Sequence, residues 1–159
     1  MTRVAALIDG EHYPPVVRFA LASLGHEHEV VAAAFLGGTE KVDLERGFET
    51  YGVPIVTAPT AVEALTNLIE RYEPHAVIDL SDEPVVSSAD RFHLAGVALS
   101  YGVEYRGADF SFTPPHARLT TRTPTLALIG TGKRVGKTAV SGYIARTLKA
   151  EGRDICVLA

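Results

Sequence analysis

Short apolar runs alternate with longer amphipathic stretches through the first two thirds of the chain. Val4–Ile8, Val30–Leu36, Val53–Val56, Ala76–Leu80 and Val103–Tyr105 read as five strands, the first four with apolar residues on both faces. Between them the apolar positions change to helical spacing. Pro14–Leu24 predicts a helix with Gly25 as its cap. Gly37-Gly-Thr39 leads into a second helix expected to run to about Tyr51, where Gly52 closes it. Thr60-Ala-Val-Glu63 is a capping box, in which side chains and backbone satisfy each other's free groups, before a helix ending near Tyr72. Ser88–Tyr101 predicts a fourth helix, with Gly102 at its end. Strands apolar on both faces must be covered on both, and intervening helices supply that cover when the strands run parallel. Residues 1–112 are therefore expected to form an α/β, Rossmann-like domain around a five-stranded parallel sheet.

The period then disappears. Residues 113–124 hold Pro114, Pro115 and Pro124 and read as a linker. Residues 125–159 are expected to form strand, loop, helix and strand: Thr125–Ile129, a glycine-rich loop, Lys137–Ala150 and Ile155–Ala159. Val140, Ile144 and Leu148 share one face of that helix, with Tyr143 beside them. Two parallel strands and one helix leave a sheet face and both edges uncovered. The sequence also stops inside an apolar run. The expectation is an incomplete nucleotide-binding domain, the β–P-loop–α–β start of a P-loop NTPase. The acidic Mg²⁺-supporting residue and the base pocket would lie elsewhere.

The loop supplies the chemistry. Gly130, Thr131, Gly132, Lys133, Arg134, Val135, Gly136, Lys137 and Thr138 stand between an apolar run and a helix, the setting of a phosphate-binding loop. Backbone N–H groups of such a loop curl around the β- and γ-phosphates of a nucleoside triphosphate, and the helix N-terminus adds its free donors. Lys137 is expected between those phosphates, and the Thr138 hydroxyl on Mg²⁺. Lys133 and Arg134 place two more cations in the loop. The first glycine of the strict pattern would fall at Thr131, with glycines on either side instead. The ending Val-Gly-Lys-Thr is closest to the loop of dethiobiotin synthetase-like enzymes. The bland alternative is a glycine-rich turn with a fortuitous Gly-Lys-Thr.

Ligands of open parallel sheets bind beyond the C-terminal strand ends. Asp9–Tyr13, Gly37–Lys41 and Asp79–Glu83 are expected there. If the first and fourth strands are neighbours, Asp9, Glu11, Asp82 and Glu83 form an acidic cluster with His12 beside it. That set suits a metal or a cationic group better than a bare phosphate. Helix N-caps on a solvated rim are the alternative. Gly37-Gly-Thr39 could cradle an anion or be a plain capped turn. The first strand lacks the G-x-G-x-x-G fingerprint, so NAD and FAD are not expected.

Charge separates the two parts. Residues 1–110 hold 17 Asp+Glu and 7 Lys+Arg; residues 111–159 hold 2 and 8. The net charge of −4 therefore conceals −10 and +6, and the positive part holds the phosphate loop. The basic residues lack interleaved aromatics, so nucleic acid is not expected as a partner. The one cysteine, Cys156, excludes a disulfide scaffold and fits a reducing cytoplasm. No apolar run is long enough to span a membrane.

Taken together, Ala5–Pro15, Phe35–Lys41, Asp79–Pro84, Gly107–Phe110 and Gly130–Thr138 resemble the cyclic 2,3-diphosphoglycerate synthetase family along the whole chain. Members of that family are much longer, and this chain is similar to their N-terminal third. The resemblance implies an ATP- and Mg²⁺-dependent ligase that closes an intramolecular phosphoanhydride in 2,3-diphosphoglycerate, releasing ADP and phosphate. It also implies a cytoplasmic protein, homodimeric at full length, with Lys137, Lys133 and Arg134 as its catalytic cations in this stretch. Asp9, Glu11, His12, Asp82 and Glu83 are candidates for substrate contact. Two other readings stay open: a related P-loop enzyme of phosphoglycerate-kinase or dethiobiotin-synthetase type, or a non-catalytic first domain that binds a partner or dimerises.

Overall fold

The computed structural model describes residues 1–42, 46–115 and 123–158. The chain divides into two compact units, Met1–His116 and Ala117–Ala159.

The first unit is a mixed, mostly parallel sheet of six strands. In chain order it runs β1 (Thr2–Ile8), α1 (Pro14–Leu24), β2 (His28–Phe35), α2 (Gly47–Tyr51), β3 (Ile55–Val56), α3 (Ala61–Tyr72), β4 (Ala76–Asp79), α4 (Ser88–Ser100), β5 (Glu104–Arg106) and β6 (Ser111–Phe112). The sheet order is β3-β2-β1-β4-β5-β6. β1 lies at its centre, pairing in parallel with β2 through Thr2↔His28 to Ile8↔Phe35 and with β4 through Val4↔Ala76 to Leu7↔Asp79. The order reverses between β1 and β4, so their C-terminal ends flank the crevice where an open sheet binds ligands.

Alternation along β1 explains how one run covers two faces. Ala5 and Leu7 enter one core with Ala32, Ala34, Val77 and Tyr105, under Leu65, Leu68, Leu94 and Ala98 of α3 and α4. Ala6 and Ile8 enter the other with Ala33 and Phe35, under Val17 and Leu21 of α1 and Tyr51 of α2. Phe35 and Tyr51 meet edge to face at 5.6 Å, a favoured aromatic geometry. Both capping boxes are complete: Thr60 with Glu63 opens α3, and Ser87 with Asp90 opens α4.

Several expectations are corrected. The sheet has a sixth strand, β6, antiparallel to β5 through Tyr105↔Phe112 and Arg106↔Ser111. Gly107 donates to the Phe110 carbonyl at 2.9 Å, closing a tight turn that folds the chain back. A strand of two residues is too short to leave a period in the sequence. The long helix expected after Gly37 is broken into a 3₁₀ turn at Thr39–Lys41 and the short α2; Val42 between them is extended. Part of that expected helix, residues 43–45, lies outside the described residues, as do residues 116–122 of the expected linker. Gly25 ends α1 in a right-handed conformation, φ −64°, and not in the left-handed one of a glycine cap.

In the second unit the helix α5 spans Lys137–Ala150. The strands expected at Thr125–Ile129 and Ile155–Ala159 are not formed among the described residues, and no residue of α5 is buried. A strand exists only through a hydrogen-bonded neighbour, and these two segments have none among the described residues.

Candidate functional site

Two sites follow from this architecture, one in each unit. In the first, β1 delivers Asp9 to the switch point and buries it, 2% exposed. Its Oδ1 accepts the backbone N–H of Glu11 at 3.0 Å and of His12 at 3.1 Å. Its Oδ2 accepts the Asp82 N–H at 2.9 Å, tying the β1–α1 loop to the β4–α4 loop. Nδ1 of His12 lies 2.8 and 2.9 Å from the two oxygens. A carboxylate can only accept, so Nδ1 is the donor of this pair.

The third loop arrives through a close backbone approach. Gly10 donates to the Gly37 carbonyl at 3.0 Å. A Cβ on Gly10 would stand 1.9 Å from the carbonyl oxygen of Gly38, so only glycine fits. The result is a pocket of about 160 Å³ lined by Asp9, Glu11, His12, Asp82, Glu83 and Val85. All five residues expected in the acidic cluster therefore line one pocket. Its four carboxylates make it hostile to a bare anion. Among the described residues, no group of three or more His, Cys, Asp or Glu is placed so that it could hold a metal ion. A wider depression of about 540 Å³ beside β3 is lined by Ile55, Val56, Thr57, Asn67, Glu70 and Arg71, with no residue from the β1 or β4 loops.

Sequence reasoning missed a second anchor under the same loop. Asp79, at the end of β4, accepts hydrogen bonds from the Ser81 N–H at 2.9 Å, Arg91 Nε at 2.7 Å and the Tyr105 hydroxyl at 2.7 Å. Arg91 also donates to the Ser81 carbonyl at 3.0 Å. Burial and the bond to Asp79 push the Tyr105 hydroxyl far above its ordinary value, so it stays protonated. Burial works against the Arg91 charge, but the hydrogen bond and charge of Asp79 outweigh it and the net shift is upward. Two buried carboxylates at the ends of adjacent strands thus hold successive residues of the β4–α4 loop, Asp79 through the Ser81 N–H and Asp9 through the Asp82 N–H. One signal was available: a lone Asp ending an apolar strand must find donors in the fold.

The second site is the glycine-rich loop. Lys137 opens α5 and donates from Nζ to the Gly132 carbonyl at 2.9 Å, so its ammonium reaches back across the loop. Gly136, the residue before the helix, has φ 83°. Arg134 has φ 62°, one of two non-glycine residues in the left-handed region among those described; the other is Glu73. Left-handed residues turn successive N–H groups towards a common centre, the geometry of an anion nest. The first turn of α5 holds no acidic side chain, so nothing within the helix competes with an anion for its N-terminus. Thr138 occupies the first turn, and Gly130 to Arg134 are exposed or half-exposed. The nine loop residues thus lie together at one helix N-terminus.

Comparisons with known proteins agree with this division. The family model described as the N-terminal domain of cyclic 2,3-diphosphoglycerate synthetase matches residues 3–113. The one described as the P-loop domain of the same synthetase matches residues 125–159. A relative of that name from Rubrobacter xylanophilus is 52% identical over 152 residues, covering 94% of this chain and 34% of its own. Another, from Thermococcus kodakarensis, is 49% identical over 152 residues, covering 95% of this chain and 34% of its own. The chain thus spans about a third of the length of these curated relatives. A phosphoribosylglycinamide formyltransferase from Anaplasma phagocytophilum aligns over 65% of this chain and 48% of its own, with 10% identity and a TM-score of 0.42, too distant to carry an argument.

Proposed function

The chain belongs to the cyclic 2,3-diphosphoglycerate synthetase family, and from that premise we propose that it carries the N-terminal domain and the phosphate-binding loop of an ATP-dependent cyclising ligase. The observation that carries the reading is Lys137 lying across a loop whose left-handed backbone opens a 14-residue helix. The domain boundary belongs within residues 113–124. The whole protein acts as a cytoplasmic homodimer on a small phosphorylated metabolite, 2,3-diphosphoglycerate.

The chemistry assigned to the loop has two steps. An oxygen of one substrate phosphate bonds to the γ-phosphorus of ATP, and the β–γ bridging oxygen leaves on ADP with its electron pair. The second substrate phosphate then attacks the phosphorus of the first, expelling inorganic phosphate and closing the ring. The attack is intramolecular, so its effective concentration is high. Lys137 holds the β- and γ-phosphates, and the loop N–H groups orient them. Lys133 and Arg134 are the candidates to offset charge on the transferred phosphoryl group or on the substrate. Thr138 is the residue of this loop suited to hold Mg²⁺, which would neutralise phosphate charge. The pocket of Asp9, Glu11, His12, Asp82 and Glu83 takes substrate only where a cation has already neutralised it.

The test uses the full-length gene product with ATP, Mg²⁺ and 2,3-diphosphoglycerate, read by phosphorus NMR. The expected result is cyclic product, ADP and phosphate in equal amounts. Diphosphoglycerate that stays linear overturns the reading. Phosphorylation of 2-phosphoglycerate in its place would favour a kinase.

A further inference from the structure

The loop offers three cations, and the structure distinguishes them. Lys137 is engaged with the Gly132 carbonyl. Among the described residues, neither Lys133 nor Arg134 has a hydrogen bond or an ion pair. They differ in backbone. Arg134 has φ 62°, whereas Lys133 is outside the positive-φ set. The left-handed conformation brings Cβ against the backbone of any residue but glycine. Two residues later the same conformation, φ 83°, is occupied by Gly136. The left-handed backbone at both positions suits an anion nest, and glycine would supply it at both without strain. A side chain at 134 therefore adds nothing to the backbone and costs conformational energy. Strain of this kind persists where the side chain has a task.

We propose that Arg134 is the cation of this loop that contacts the phosphoryl group in flight between nucleotide and substrate, acting in cis. The inference rests on the ligase reading above and deepens it. In the first step the γ-phosphorus leaves the bridging oxygen and bonds to a substrate phosphate oxygen. Negative charge builds on the bridging oxygen and on the three equatorial oxygens. A planar guanidinium offers paired donors to two of those oxygens, which an ammonium does not. Lys133, on unstrained backbone, adds general positive charge to the loop mouth.

Arg134→Gly separates backbone from side chain, because it relieves the strain and deletes the cation together. In the full-length protein we expect the first-turnover rate of ADP formation to fall about 100-fold or more. ADP affinity should stay within about twofold, because ADP lacks the group that Arg134 contacts. The added affinity for ADP with aluminium fluoride, a mimic of the planar phosphoryl group, should disappear. The thermal midpoint should hold or rise, which a merely structural role for the side chain would not produce. Arg134→Lys should restore only part of the rate, and Lys133→Ala should cost about tenfold or less. A wild-type rate in Arg134→Gly, or an equal loss in Lys133→Ala, overturns the assignment of Arg134 and leaves the ligase reading standing. A wild-type protein that binds neither ADP nor ATP overturns both.

Discussion

The two units place their polar groups in opposite ways. In Met1–His116 the important carboxylates are buried and fully engaged: Asp9 and Asp79 each accept three or more hydrogen bonds, and both sit at the ends of central strands. In Ala117–Ala159 the important cations are exposed, and α5 buries no residue among those described. The difference follows from chemistry. A group that positions a loop must be desolvated and fixed, because its bonds are worth most where water cannot compete. A group proposed to receive a phosphate must wait in solvent, because its own partner is the ligand. Order in the first unit therefore comes from burial and capping. In the second it comes from a short loop of restricted backbone, with Lys137 bonded across it.

That contrast predicts where activity and stability separate. The largest effect is expected at Lys137. Lys137→Ala should lower ATP-dependent turnover of the full-length protein by about 1000-fold or more, with the unfolding of the first unit unmoved. Coupled ADP release and urea unfolding read the two halves of that statement. A parallel loss of unfolding free energy would break the contrast.

Asp79→Ala should act in the reverse sense. It strands the guanidinium of Arg91 and the hydroxyl of Tyr105, and should cost about 3 kcal/mol in urea unfolding of the first unit. Nucleotide binding by the loop should survive at temperatures where the first unit stays folded, measured by calorimetric titration with ADP.

A smaller effect lies in the alkaline range. The Tyr105 hydroxyl is raised above its ordinary value of 10.0 by burial and by Asp79. The unfolded chain therefore gives up that proton first. Stability from this group is complete below pH 10 and falls as pH rises beyond it. Tyr105→Phe should remove that slope from unfolding measured between about pH 9 and 11, the titration range of an ordinary tyrosine. A slope that persists would assign it to Tyr51 or Tyr101, whose hydroxyls are also raised, the first by burial and the second by its bond to Glu70.

The smallest effect is local. Thr60→Ala deletes the cap that accepts the Glu63 N–H at 3.2 Å and should cost about 1 kcal/mol by urea unfolding. No loss at all would show that α3 is held by its buried face alone.

Much of the first unit was legible because its signals are local. The apolar runs gave the central strands, and Thr60 with Glu63 announced a capping box that the structure completes. The five residues of the acidic cluster share one pocket because β1 and β4 are neighbours, the condition attached to them from the sequence. Arg91 and Tyr105 were not legible. They stand 12 and 26 positions from Asp79, and nothing in either neighbourhood marks them as partners of a carboxylate. β6 escaped for a related reason: it is two residues long and, unlike the equally short β3, lies in no apolar run. In the second unit the helix followed the sequence, while the flanking apolar runs found no strand to pair with among the described residues.

The sequence by itself determined the P-loop motif, the helix behind it, the α/β alternation and the family. Each depends on residues close together in the chain, where covalent geometry fixes which groups can meet. Only the tertiary structure decided that Asp9 and Asp79 hold one loop together, that Gly10 lets three loops converge, and that Arg134 bears left-handed backbone. The first two are contacts between distant segments, set by strand order. The third is a dihedral that no residue type dictates, because arginine reaches it only when the loop around it leaves no other path.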